Sequence, residues 1–174
     1  MSPILTIQVE NFRESLKLTQ RSIYLGLLIA GIVHYLGHLD EGKPLPTVPF
    51  LNVEFTSAES LQIVLLVLYI GSGMTAWFST SRALQVLGDI DDSETAMAAS
   101  KYPCLVVSNI WFSSLLAGAL LGIGYLLLSS IFVFDSVWER SLYFIVSLPF
   151  FATLRFGRDI YSWGQENACK SDAC

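Results

Sequence analysis

Apolar residues gather into four long stretches, about residues 22–39, 61–80, 105–134 and 141–154, with almost no charge inside any of them. A run of about 18 apolar residues carries a helix across a hydrocarbon core about 30 Å thick. The first three stretches meet that length. The fourth is shorter and reaches it by taking in Val137 and Trp138 before it and Phe156 after it. The pattern predicts an all-α, four-helix transmembrane bundle with spans at about 22–39, 58–80, 105–131 and 138–156. Residues 1–164 then form a single membrane domain, and the small, polar residues 165–174 a disordered tail.

Polar and apolar positions outside the spans add further elements. Leu5, Val9, Phe12 and Leu16 recur at helical spacing opposite Glu10, Arg13, Glu14 and Lys17, which predicts an N-terminal amphipathic helix over residues 4–21. That helix either lies in the interface or docks a partner, or it is the solvated start of a long first helix. Helical character in the second span continues past the membrane through Leu84 and Leu87 and stops near Gly88, a cytoplasmic extension. Thr56 and Glu59 resemble a capping box at its start. Asp91 or Asp92 suits the cap of a short helix over 95–100, and Pro103 the first turn of the third span. The acidic run over 89–94 starts like a calcium loop but lacks the turn glycine and the terminal glutamate. Pro44, Pro46 and Pro49 exclude a continuous helix over 40–56, and Pro149 is expected to kink the fourth span.

Composition agrees with lipid as the solvent. Hydrophobic residues make up 53%, mean hydropathy is +0.55 and charged residues are 14%, against about a quarter in soluble domains. A net charge of −5 gives no basic patch for direct nucleic-acid binding. Cytoplasmic flanks retain Lys and Arg. Arg13, Lys17, Arg21, Arg82, Lys101, Arg155, Arg158 and Lys170 fall on one side of the predicted spans, against Lys43 and Arg140 on the other. Both termini are therefore expected in the cytoplasm.

Candidate chemistry is sparse. Ser114, Gly118 and Gly122 repeat every fourth residue, as small residues do where membrane helices approach closely, either in self-assembly or inside one monomer. Gly71 and Gly73 are candidates for the opposing surface. Arg155 and Arg158 suit lipid head groups, and Trp163 suits the interface. His34 and His38 share a helix face, but two ligands do not make a metal site. The three cysteines, Cys104, Cys169 and Cys174, fall on the reducing side, and Cys104 is placed for acylation. No Asp, Glu, Lys or Arg lies near the middle of a span, where pumps and ion-coupled transporters place them.

These features predict a non-enzymatic membrane subunit, with no cofactor or metal, that anchors or scaffolds a cytoplasmic protein partner, surrounded by membrane lipids and assembled as a homo-oligomer. Phe12, Leu16, Leu84, Leu87, Asp91, Asp92 and Trp163 are the expected partner-docking residues. An oligomeric ion channel or pore is the alternative, since the outer loops carry Asp40, Glu41, Glu54, Glu59, Asp135 and Glu139. In architecture alone the chain resembles small four-span membrane components of bacterial defence systems and pore-toxin immunity proteins. That likeness implies a bacterial inner membrane.

Overall fold

The computed structural model of the chain describes residues 3–36, 57–132 and 141–171. Among the described residues it is all-helical, with five helices and no strand. These are α1 (Pro3–Leu36), α2 (Ala58–Gly88), α3 (Ser93–Ser100), α4 (Ile110–Ile131) and α5 (Leu142–Ser171). The proline-rich 40–56 connection, His38 and Cys174 lie outside the described residues.

Several of the helix ends have a local cause. Pro3 opens α1, at a position whose N–H would have no helical partner in any case. Residues 4–21 are the first half of this one continuous helix. Ser57 caps α2, its hydroxyl accepting from the Ser60 N–H at 3.2 Å. The cap is thus Ser57 rather than Thr56, which lies outside the described residues. The helix ends at Gly88, where the hydrophobic pattern stops, and the Asp89 N–H closes it on the Gln85 and Val86 carbonyls. Its 31 residues span about 46 Å at ~1.5 Å each, longer than the hydrocarbon layer.

Of the two candidate aspartates, Asp92 caps α3, accepting from the Thr95 N–H at 3.2 Å and from the Thr95 hydroxyl. Helix α4 starts later than Pro103 suggests. Residues 101–109 are non-helical, and the Asn109 side chain caps α4 by accepting from the Phe112 N–H at 3.0 Å. Helix α5 runs on through Pro149 and reaches Ser171, so residues 165–171 are helical where the composition suggested disorder.

Helices α1 and α2 form the most extensive pair and run antiparallel. Gln8 donates to the Asp89 carbonyl at one end, and Thr19 and Thr80 share a buried hydrogen bond of 3.0 Å further along. Phe150 of α5 seats its ring where these helices pass, 3.2 Å from a Cβ built on Gly26 and 2.9 Å from one built on Gly73. Tyr69 packs against it at a tilt of 41° with ring centroids 4.8 Å apart and donates its hydroxyl proton to the Leu120 carbonyl of α4. Ile23, Ile29, Leu61, Leu65, Leu116 and Leu154 complete this core.

Helices α1, α2 and α4 are long and apolar enough to cross a membrane. Their outward faces are apolar as well, with Leu28, Val67 and Leu115 all exposed. Water tolerates large contiguous apolar surfaces poorly, whereas lipid is their natural solvent. The chain is a membrane protein.

Candidate functional site

A second core lies beyond the apolar bundle, where the start of α1, the end of α2, α3 and the C-terminal half of α5 converge. Val9, Phe12, Leu16, Ala83, Leu87, Ile90, Ala96, Ala99 and Ile160 are buried there, with Leu84 and Trp163 packed against them. The amphipathic spacing of α1 explains one wall. Its apolar positions turn inward, and Glu10, Arg13, Glu14 and Lys17 stay exposed. The extension of α2 forms the opposite wall. Short side chains along α3 let it lie flat on both.

This arrangement corrects the assignment of docking residues. Phe12 and Leu16 are fully buried and Leu87 nearly so, because they pack against one another inside the chain. No surface remains on them for a partner. Leu84 and Trp163 are half-buried in the same core. Asp92 is engaged in capping α3, while Asp91 is exposed. Ile4 and Ile7 are large apolar side chains left open at the start of α1, at 71% and 59% exposure.

The segment 101–109 threads between α1, α4 and α5. Gly157 of α5 permits this, since a Cβ there would collide with the Val106 carbonyl and side chain. Gly164 likewise accommodates Ser100, whose hydroxyl oxygen would stand 2.8 Å from an added Cβ. Nothing in the sequence singles out Gly157, whose partner Val106 lies in an irregular segment with no periodicity, or Gly164, whose partner Ser100 is the last residue of α3. A groove of about 780 Å³ opens alongside, lined by Tyr24, Lys101, Tyr102, Phe112, Tyr161 and Gln165 among others. Arg13 lies over the Tyr102 ring, 6.0 Å from its centroid.

Electrostatics at this end are local. Lys17 donates to Glu14 at 2.6 Å. The hydrogen bond and charge of Lys17 lower the Glu14 pKa, and Glu14 raises that of Lys17 in return. Arg155 and Asp159 pair across one turn of α5 at 3.5 Å, and both Arg155 and Arg158 are exposed. Cys104 is partly buried with its thiol 3.7 Å from the Leu16 carbonyl, and burial pushes the thiol pKa up. A thiol held protonated is a poor nucleophile, which counts against the acylation that its sequence position suggests.

The small-residue candidates separate into two groups. Gly73 is buried under Phe150 and cannot face a neighbouring molecule. Gly71, Gly118 and Gly122 are exposed, and a Cβ at any of them would meet nothing within 4 Å. Ser114 is exposed on the same face as Gly118 and Gly122, its hydroxyl bonded back to the Ile110 carbonyl at 2.7 Å. The glycine of α4 that does pack internally is Gly124, against Ser147. No group of three or more His, Cys, Asp or Glu side chains suited to a metal ion occurs among the described residues. Comparison with known proteins finds no matching family model, no matching curated protein and no matching solved structure.

Proposed function

We propose that the chain crosses the bilayer four times and works as a non-catalytic membrane subunit, holding a cytoplasmic protein partner on its membrane-proximal end and joining further copies through α4. The observation that carries this reading is the second core. Packing of Phe12, Leu16, Leu87 and Ile160 outside the apolar bundle builds a preformed platform, and preformed surfaces bind at a lower ordering cost than flexible ones. Ile4, Ile7 and the groove beside Tyr102 and Tyr161 are what this platform leaves open to a partner.

Two features support α5 as the fourth crossing. Its Phe150 and Leu154 share a core with α1, α2 and α4, and its outward Phe144, Ile145 and Leu148 are exposed and apolar. The charged Arg155, Arg158 and Asp159 then begin where the second core begins. Arg13, Lys17, Arg82, Lys101 and Arg155 belong to the segments that build this end, which supports a cytoplasmic assignment for it. Self-association draws its support from the open Ser114/Gly118/Gly122 face. Ser129 lies exposed two turns beyond Gly122, past the larger Tyr125 and Leu126, and exposed hydroxyl-bearing positions at Ser114 and Ser129 support the second reading, an oligomeric channel.

The test uses the full chain in native membranes. Reporter tags at Met1 and Cys174 should both read out on the cytoplasmic face, and a Gly118→Cys variant should form disulfide-linked dimers on mild oxidation. A stoichiometric protein should co-purify and be lost on Ile4→Asp/Ile7→Asp substitution. Tags on opposite faces would exclude four crossings. A protein that emerges alone, with Gly118→Cys uncross-linked, would remove both the scaffold and the oligomer.

A further inference from the structure

A second groove, of about 420 Å³, opens between α1 and α2 on the flank of the bundle. Its residues fall on one face of each helix, Asn11, Glu14, Leu18 and Arg21 on α1 and Phe78 and Arg82 on α2. The antiparallel register set by the Thr19–Thr80 hydrogen bond brings these two faces together. The groove stands where the apolar core gives way to the second core, since Thr19 and Thr80 lie between the two sets of buried residues.

Its charge is unbalanced. Glu14 is taken up by Lys17 at 2.6 Å. The ion pairs among the described residues are Lys17–Glu14 and Arg155–Asp159, and neither Arg21 nor Arg82 enters one. Two guanidinium groups outside any ion pair therefore line one cleft, against a single lining carboxylate, Glu14, which feels the Arg21 charge but is hydrogen-bonded to Lys17. Guanidinium presents a planar fork of donors that matches phosphate oxygens. Leu18 and Phe78 give the groove an apolar, open side, beside the polar Ser15 and Ser79: Leu18 is 45% exposed and Phe78 61%, the latter stacked on Trp77 with ring centroids 5.5 Å apart. A soluble anion has no use for such a side. A molecule with a phosphate beside hydrocarbon uses both.

We propose that this groove is a binding site for an anionic phospholipid, with Arg21 and Arg82 on the phosphate and the first acyl carbons along Leu18 and Phe78. The proposal rests on the reading that α1 and α2 stand in a bilayer, so that the groove lies at head-group depth. It adds a built site to the exposed Arg155 and Arg158, one of which is already paired with Asp159. Asn11 supplies a further amide at the rim.

The full-length protein in a neutral detergent is titrated with short-chain phosphatidylglycerol, phosphatidylcholine or inorganic phosphate, and bound adducts are read by native mass spectrometry. Phosphatidylglycerol should be retained over phosphatidylcholine. The Arg21→Gln/Arg82→Gln variant should bind it at least about tenfold more weakly, as expected for the loss of two charge-assisted contacts. Arg155→Gln/Arg158→Gln, at exposed positions outside the groove, should weaken binding far less than Arg21→Gln/Arg82→Gln, and millimolar inorganic phosphate should not displace the lipid. Arg82→Gln alone, at an exposed position, should show an intermediate loss, which keeps the test decisive if the double variant aggregates. Equal adducts on wild type and the Arg21/Arg82 variants, or no preference over phosphatidylcholine, would overturn the site. Displacement by inorganic phosphate would assign it to a free anion instead and equally overturn the proposal. Binding in detergent is independent of which way the chain faces, so this result and the topology reporters fail separately.

Discussion

At the scale of single residues, the glycines show best what the fold asks of this sequence. Gly73 and Gly118 look alike in the chain, small residues inside apolar helices, and the structure gives them opposite surroundings. A methyl at Gly73 would stand 2.9 Å from a Phe150 ring that Gly26 and Tyr69 hold in place. Gly73→Ala should therefore destabilise by about 1–3 kcal/mol through overpacking. Gly118→Ala meets open space and removes a helix-destabilising glycine, so the monomer should be unchanged or up to about 1 kcal/mol more stable. Thermal unfolding in one detergent compares the two, and equal effects would contradict the placement of Phe150. Cys104 gives a chemical readout of its own packing. In a Cys169→Ser/Cys174→Ser background, its alkylation should be slow near neutral pH and should accelerate only above the ordinary thiol range, because burial disfavours the thiolate. A raised folded-state pKa also means that its share of stability is full below the unfolded thiol pKa and fades as pH climbs through the folded value. Alkylation at the rate of a free thiol would show the site to be open.

Among elements, the pairing of α1 with α2 turns on a polar contact inside an apolar interface. The Ser15 and Ala76 carbonyls lie within reach of the same two hydroxyls, and each hydroxyl has one proton, so when one threonine donates across the interface only the other bonds back to its own helix. Replacing either by Val should cost about 1 kcal/mol, and a double-mutant cycle should recover a coupling of about 0.6 kcal/mol, as measured between membrane helices generally. Strict additivity would mean that the two hydroxyls do not meet. This level also shows how far the sequence could be read. The apolar runs announced α1, α2 and α4, and the end of α2 at Gly88 followed from where the hydrophobic pattern stopped. Helix starts were harder. Pro103 looked like a first-turn proline, yet helix begins only at the Asn109 cap, because Val106 is wedged against Gly157 of α5 and the intervening backbone runs irregularly. That wedge is a tertiary contact and leaves no periodic trace. The polar end of α5 read as disorder from composition, whereas Ile160 and Trp163 tie its course to the second core and helix continues to Ser171. Candidate site residues were the least legible, since an amphipathic stripe announces burial without saying what covers it. Phe12, Leu16 and Leu87 proved to cover one another.

For the whole molecule, the consequence is a protein with two cores in two solvents. The core around Phe150 sits among helices whose outward faces suit lipid, where apolar burial gains little and close packing with interhelix hydrogen bonds dominates. The core around Phe12 carries exposed charges on its outer surface and depends on the ordinary hydrophobic effect. The two should consequently respond differently to the same kind of damage. Phe12→Ala should cost about 3–5 kcal/mol at the second core and raise amide exchange in α3 and the C-terminal turns of α5, while the amides around Tyr69 and Leu120 stay protected and the chain still inserts. Phe150→Ala should loosen the contacts among α1, α2 and α5 and lower the melting temperature in detergent, leaving α3 protected until the bundle itself opens. Hydrogen exchange by mass spectrometry on both variants separates these outcomes, because α3 and the Tyr69 region fall in different peptides. Uniform loss of protection from Phe12→Ala would show one cooperative unit, and the membrane-proximal end would then lose its standing as a separately built platform.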